Sequence, residues 1–256
     1  MSKYVIDGET LTGIADAMRR EANLTNPISP IEMPEMVAHV FEAGKQSEYD
    51  RFWDSYQENG KRGNYQWAFA GIGWNDQNFK PKHDIIATWG YSGSDMFHSS
   101  EITDLKQALD NSGTELDTSK SNYMSAFIQG SLITRCPKIS IENCKTSSST
   151  SYMFALSPIE TIEKLVVSAE TYFEPSTFRE CTKLKNLTVE GAIGRNNLDV
   201  HWSAELTRDS LLTILNALTD KTGVSGTWTV TLGETNLAKL SEDDIAVAEQ
   251  KGWVLA

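Results

Sequence analysis

Cysteine, long apolar runs and clustered basic residues are all scarce in this sequence. The three cysteines, Cys136, Cys144 and Cys181, form no C-x-x-C pair and have no histidine at a ligand spacing, which predicts small buried thiols rather than a metal site. No apolar run approaches the roughly 20 residues of a membrane helix, so membrane insertion is not expected. The opening MSKYVIDGETL lacks the apolar core of a secretory signal, which predicts synthesis and assembly in the cytoplasm.

The charge balance is acidic. Lysine and arginine number 23 against 35 aspartates and glutamates, giving a formal net charge of -12. Binding along a phosphate backbone needs clustered basic residues, and here they are scattered, so nucleic acid is not an expected partner. Hydrophobic residues make up 39% and charged residues 23%, which is the composition of a globular protein.

Catalytic motifs are also absent. The nearest match to a nucleophile elbow, Gly90-Tyr-Ser92-Gly93, has its second glycine one place early. Gly71-Ile-Gly73 lacks the third glycine and the preceding strand of a dinucleotide fingerprint. The acidic loop Asp110–Asp117 does not follow the calcium-loop pattern and is interpreted as a structural turn.

Isolated titratable residues do not change this picture. The acidic residues Glu234, Glu242, Asp243 and Asp244 are better explained by charge at helix N-termini and by solvation than by catalysis. The histidines stand far apart in the sequence, at His39, His83, His98 and His201. We therefore predict no catalytic residue, no cofactor and no metal, and we do not expect an enzyme.

The N-terminal residues 1–45 carry the pattern of two short helices. Apolar residues recur at helical spacing from Leu11 to Met18, and Ser29 with Glu32 forms a capping box for a second helix that contains Pro30 at its first position. Two such helices have little core of their own. We predict that residues 1–45 attach the chain to something larger.

Residues 46–94 are predicted to be a helix followed by an aromatic-rich cap or linker. Tyr49, Phe52, Trp53 and Tyr56 share one helical face, which favours a helix packed against the next domain over a binding site. Residues 63–93 then place several aromatic residues among glycine, asparagine and proline, which is typical of an irregular segment that covers the end of a core.

Residues 95–205 show a weak internal repeat. Four segments, beginning near Phe97, Phe127, Phe154 and Phe178, each place an isoleucine or leucine five or six residues after the phenylalanine. Two of them end in strand-like apolar pairs, Leu165 with Val167 and Leu187 with Val189. The intervals lie near the 20 to 29 residues of leucine-rich repeats, in which stacked units share one apolar column.

Residues 206–256 return to ordinary helix and strand signals. Thr207 and Ser241 stand where helix caps are expected, residues 227–233 alternate as a strand, and residues 253–255 resemble a closing strand. With the preceding segments, this gives the predicted fold class: α+β, with a short leucine-rich-repeat-like β-solenoid, an N-terminal helical element and a C-terminal α/β cap.

Several stretches resemble one family. FRECTKLKNLTVEG, residues 178–191, resembles the BspA-like leucine-rich repeat, although the segments at Phe97, Phe127 and Phe154 lack its cysteine. The ending that starts at LTRDSLLTILNALTD is similar to the module that closes such repeats in bacteriophage and prophage tail proteins. YVIDGETLTGIADAMRR with PISPIEMPEMVAHV resembles the N-terminal element of those proteins, and residues 52–85 resemble the segment that follows it.

The resemblance implies a non-enzymatic virion protein of a phage tail or baseplate, assembled in the bacterial host cytoplasm. It further implies a fibre-like, receptor-binding role, with residues 1–45 contacting other tail proteins and several copies forming a homo-oligomer. The receptor would be a carbohydrate or protein of the bacterial surface. The alternatives are a purely structural baseplate or head decoration protein and a carbohydrate-active enzyme.

Exposed aromatic residues would carry such adhesion, because they give a large contact area at low entropy cost and stack on sugars. The candidates are Trp89, Tyr91 and Trp202. Each is more readily explained as a core or cap residue, so we predict no individual binding residue.

Overall fold

The computed structural model describes residues 65–256, apart from residues 67, 72 and 89. The described residues all lie within one compact unit of the chain. The helices predicted within residues 1–60, the attachment element 1–45 among them, lie outside the described residues, and so does Trp89.

The elements of the described part are short. The helices are α1 (Leu105–Ser112), α2 (Arg208–Ala217), α3 (Glu234–Leu237) and α4 (Glu242–Gln250). The strands are β1 (Ile85–Ile86), β2 (Leu116–Asp117), β3 (Arg135–Ser140), β4 (Thr161–Val167), β5 (Asn186–Gly191), β6 (Trp228–Val230) and β7 (Trp253–Leu255). All strand pairs among the described residues are parallel.

Successive turns of the chain stack on one another between residues 69 and 180. In each turn the backbone N–H of a buried anchor residue donates to a carbonyl of the next turn: Phe97 donates to Phe127 at 2.8 Å, and Ile128 donates to Met153 at 2.9 Å. Each anchor donates to the residue that directly precedes the next anchor. This rule gives the anchors as Phe69, Phe97, Ile128, Phe154 and Phe178. All of them are fully buried, so they form one apolar column through the stack.

Aligning the phenylalanines by sequence placed Phe127 among the anchors, and that placement is wrong by one residue. The hydrogen-bond register gives the anchor position to Ile128, while the ring of Phe127 packs edge-on against Phe97 with centroids 5.4 Å apart. Both neighbours are apolar and fully buried. The apolar pattern alone therefore could not choose between them.

The residue two places after each anchor has a left-handed backbone. Its φ is 88° at Gly71, 56° at Ser99, 63° at Gly130, 59° at Leu156 and 59° at Glu180. A side chain in this conformation costs roughly 1–2 kcal/mol, and only glycine avoids that cost. The turns thus share one shape, which the stacking hydrogen bonds hold even where the residue is not glycine.

The three-stranded sheet carries the longest parallel pairing. Ile139 lies opposite Leu165, which lies opposite Val189, and all three side chains point into the core. A second buried row in the same register consists of Cys136, Ile162 and Leu187. The strand-like pairs predicted around residues 165 and 187 are confirmed within β4 and β5.

Helix α2 occupies the open edge of β5. The Ser210 hydroxyl accepts the backbone N–H of Leu187 at 2.9 Å, and the Thr213 hydroxyl accepts that of Val189 at 3.1 Å. Two side chains thereby supply the acceptors that a neighbouring strand would otherwise supply. On the far side of the sheet, α1 follows an isolated parallel bridge between Asp104 and Arg135.

The predicted fold class, α+β with a leucine-rich-repeat-like β-solenoid over residues 95–205, is wrong. The described residues form a mixed α/β structure whose strands fall into separate small sheets, ordered β1-β2, β3-β4-β5 and β6-β7. The pairing stops because helices form on both sides of the central sheet. Asp104 caps α1 and Thr207 caps α2, so these segments satisfy their own backbone groups and do not extend the sheet.

Aromatic rings cover the first anchors. Phe69 packs edge-on against Trp74 and Phe79, with centroids 5.3 and 5.1 Å away, and stacks on Phe97 at 5.1 Å. Phe79 and Phe97 are in turn 5.6 Å apart. These rings add apolar area next to the anchor column.

The C-terminal helices are held together at their ends. Thr207 and Ser241 cap α2 and α4, as predicted, and Ser241 forms a capping box with Asp244. Arg208 reaches from α2 to Asp244 through two hydrogen bonds of 2.8 and 2.7 Å. At the other end, the Lys251 ammonium donates to the carbonyl of Leu215, in the last turn of α2, at 3.1 Å.

We expect the Arg208–Asp244 pair to make stability depend on pH. The Arg208 guanidinium, with hydrogen bonds from Ser241, lowers the pKa of the Asp244 carboxyl. A carboxyl whose pKa is lowered by folding stabilises the native state above its unfolded pKa of about 4, and this stabilisation is lost as the pH falls through the lower folded pKa. Asp244→Asn should therefore lower the thermal midpoint at neutral pH, with the difference from wild type shrinking below about pH 4.

Asp243→Asn is the matched control for this measurement. Asp243 lies in the same first turn of α4, is exposed, and forms no ion pair with any described residue. Thermal unfolding of both variants over a pH series separates the effect of the ion pair from that of helix charge. Equal midpoint losses for the two variants would contradict the assignment.

Candidate functional site

The structure gives structural roles to the weak catalytic motifs. Ser92 is buried, and its hydroxyl accepts the backbone N–H groups of Tyr65 at 3.3 Å and Thr88 at 3.0 Å. The acidic loop Asp110–Asp117 contains the end of α1, where Gly113 provides the left-handed cap, and β2.

The thiols are buried, as predicted. Burial raises the pKa of Cys136, and it raises those of Cys144 and Cys181 to about 12. At neutral pH all three are therefore protonated and weakly nucleophilic. Within residues 65–256, no group of three or more histidine, cysteine, aspartate or glutamate side chains could hold a metal ion.

A row of tyrosine, hydroxyl and amide side chains, some exposed and some half-buried, lies along the stacked turns. We call it the tyrosine row and define it as Tyr91, Tyr123, Ser148, Tyr172 and Asn197. The rings of Tyr91 and Tyr123 lie with centroids 4.4 Å apart and tilted by 44°. The Tyr123 hydroxyl lies 2.5 Å from the Ser148 hydroxyl, and this hydrogen bond lowers the pKa of the Tyr123 phenol.

The second half of the row is held by backbone contacts from the core. The Tyr172 N–H donates to Cys144 O at 2.8 Å, and the Tyr172 carbonyl accepts the Thr150 hydroxyl at 2.9 Å. The Asn197 side-chain amide then donates to the Tyr172 hydroxyl at 3.0 Å. Contacts between side chains thus join Tyr91, Tyr123 and Ser148 at one end of the row and Tyr172 with Asn197 at the other.

The spacing of the row follows the anchors. Tyr91, Ser148 and Tyr172 each stand six residues before an anchor, and Tyr123 stands five before Ile128. Of these residues only Tyr91, which is 55% exposed, was predicted from the sequence as a candidate. A search for tyrosine and hydroxyl residues at a fixed distance before the repeated apolar position would have found them.

A polar groove of about 270 Å³ lies beyond the Asn197 end of the row. Its lining residues are Pro175, Asn196, Asn197, Asp199, Thr229 and Thr231. The Asn196 side chain builds one wall, because it accepts the N–H of Thr229 at 2.8 Å and donates to Thr227 O at 3.0 Å. This amide pairs with the edge of β6 as a strand would.

Trp202, the other described aromatic candidate, lies near this groove. It is 41% exposed, and its ring lies 4.7 Å from that of His201. The His201 Nδ1 is 2.6 Å from a carboxylate oxygen of Asp199, which lines the groove. Trp202 is therefore a surface residue and not a core residue, and it lies two contacts away from the groove.

Comparison with protein-family models, curated proteins and solved structures gives no match. None of the helices among the described residues is long and apolar enough to cross a membrane.

Proposed function

We propose that this chain is a non-enzymatic structural protein of a phage tail or baseplate that binds a receptor on the bacterial surface. The tyrosine row carries the proposal. It offers two neighbouring phenol rings and several hydroxyl and amide groups on turns that are already fixed by backbone hydrogen bonds. Rigid tyrosines of this kind give contact area at low entropy cost.

The sequence resemblance supports the same assignment. The N-terminal, central and C-terminal stretches each resemble parts of phage tail proteins, and residues 1–45 are the proposed attachment to other tail proteins. Several copies in one homo-oligomer would present several rows at once. Contacts that are individually weak then suffice for adhesion, because linked copies bind by avidity.

The test is attachment of the full chain to bacteria. Fluorescent beads that carry many copies are mixed with a panel of strains, including the host in which the chain is made. The double variant Tyr91→Ser, Tyr123→Ser should lower attachment at least tenfold, because interface tyrosines often contribute about 2 kcal/mol each.

Tyr152→Ser is the matched control, since Tyr152 is exposed and belongs to a stacked turn but not to the row. It should attach as wild type does. If the double variant attaches as well as wild type, the tyrosine row is not the receptor-binding surface. Presence of the chain in purified virions without attachment to any strain would favour a purely structural baseplate or head role.

A further inference from the structure

We infer that the groove beyond Asn197 is a binding site for one neutral sugar unit. This inference rests on the proposed function and names the class of receptor chemistry. At about 270 Å³ the groove lies just below the roughly 300 Å³ at which small-molecule pockets begin. That space suits one ring of a surface glycan.

The unused polar atoms of the groove include both acceptors and donors. One Asp199 oxygen accepts the His201 backbone N–H at 3.0 Å, and the second oxygen bonds to none of the described residues. One N–H of the Asn197 side-chain amide donates to the Tyr172 hydroxyl, which leaves its second N–H as a donor and its carbonyl oxygen as an acceptor. A ligand that fits must therefore offer both kinds of group, and a sugar hydroxyl both donates and accepts.

Two hydroxyl groups complete the lining. Thr229 lies in β6 and Thr231 directly follows it, and both side chains face the same way because residues two apart in an extended chain share a face. Their hydroxyls make no hydrogen bond with the described residues, and each can both donate and accept. Together with the Asp199 carboxylate, they match a pair of adjacent hydroxyls on a sugar ring. Exposed Pro175 offers an apolar patch for the C–H face of such a ring.

The charge of the groove selects against anions. Asp199 is the only charged residue in the lining, and the whole chain carries a formal net charge of -12. An acidic sugar or a phosphate-bearing polymer would meet like charge without a cation to pair with. A neutral hexose, deoxyhexose or N-acetylhexosamine meets no such repulsion.

The groove also continues the tyrosine row. Asn197 belongs to both, and its amide is bonded to the last tyrosine of the row. A glycan chain with one ring in the groove can therefore lie along Tyr172 toward Ser148 and Tyr123. The groove would fix the position of the chain, and the row would supply stacking contacts.

The test titrates the purified full chain with free sugars and follows chemical shifts, including those of the Asn196 and Asn197 side-chain amides. The probes are glucose, galactose, rhamnose and N-acetylglucosamine, with glucuronate and galacturonate as the anionic counterparts. For a ligand of this size we expect dissociation constants of about 1 mM for at least one neutral sugar. Binding of the matching uronate should be at least tenfold weaker.

Three variants locate the site. Asp199→Asn keeps the shape and the acceptor for His201, and should weaken sugar binding about tenfold. Thr231→Val removes one hydroxyl and should weaken it several-fold. Thr227→Val is the control, because Thr227 precedes β6 outside the groove lining and contacts Asn196 only through its backbone carbonyl, which the substitution keeps, so sugar binding should be unchanged.

Two results would overturn the inference: no neutral sugar of the set shifts the groove amides, or the uronates bind as well as the neutral sugars. The outcome is separate from that of the proposed function. If cells bind wild-type and Asp199→Asn beads equally, the chain is an adhesin but the groove is not its receptor site. If the chain binds sugar but attaches to no strain, the groove is a sugar site but the chain is not an adhesin.

Discussion

Gly191→Ala is expected to destabilise the protein by about 3–5 kcal/mol, close to the whole stability of a marginal domain. Gly191 ends β5 with a φ of 106°, a conformation that L side chains rarely adopt. A Cβ at this position would lie 2.0 Å from the carbonyl oxygen of Val167 in β4. Neither the backbone oxygen nor the glycine can move without breaking the parallel pairing at this end of the sheet.

Gly226→Ala separates the two causes of that loss. Gly226 has a φ of 110°, but a Cβ there would meet nothing within 4 Å. This control therefore measures backbone strain alone, about 1–3 kcal/mol, and the difference between the variants measures the clash with Val167. Chemical denaturation of the full chain gives both values. Equal losses in the two variants would show that the close approach of β4 and β5 is not limiting.

Phe154→Ala should cost a similar amount, about 3–5 kcal/mol, by opening a cavity in the anchor column. Phe154 is fully buried, its ring stacks on Phe178 with centroids 5.2 Å apart, and its carbonyl accepts hydrogen bonds from the Ser157 hydroxyl and the Cys181 thiol. The backbone contacts survive the substitution, whereas the ring contacts do not. The thermal midpoint should fall by roughly 6–20 °C.

Leu156→Ala is the comparison for this variant. Leu156 follows Phe154 by two residues in the same turn, but it is 49% exposed. Removing a side chain that is half in water leaves no closed cavity, so the change should stay within about 0.5 kcal/mol. A loss as large as that of Phe154→Ala would mean that the column is not the main apolar contact of the stack.

Features fixed by local chemistry were predictable. Thr207 and Ser241 cap helices because a side-chain oxygen satisfies an N–H only three residues away, and such a signal lies within one short window. The same holds for β6 and β7, whose apolar alternation marks strands without knowledge of their partners. Their parallel pairing, with Trp228 opposite Trp253, was not visible in either segment alone.

The fold class depended on contacts that no short window contains. The apolar pattern found β4 and β5, but it could not show that Ser210 and Thr213 of a later helix would take up the edge of β5. An apolar strand pattern indicates that a segment can pair with another strand. Whether the sheet continues depends on which element packs beside that segment. The strands β4 and β5 were therefore predicted correctly, whereas the continuation of their sheet along the whole repeat was not.

The candidate surface was recovered only in part for the same reason. Tyr91 and Tyr123 are 32 residues apart in sequence, and their contact exists because both precede turns that stack directly on each other. Asn197 is joined to Tyr172 across 25 residues. The sequence favoured exposed aromatic rings, and two of its three candidates were tryptophans. The tyrosine, serine and asparagine side chains that the fold aligns were not among them, apart from Tyr91.

The hydroxyls of α2 also bear on how copies of this chain can associate. An uncovered β-strand edge is a template on which a second molecule can add a strand, and that route leads to domain exchange and to amyloid-like growth. Here the N–H groups of Leu187 and Val189 are already occupied by side chains of the same molecule. Self-association on this flank must therefore proceed through side-chain complementarity, which can be saturated, and not through main-chain addition, which can propagate without end.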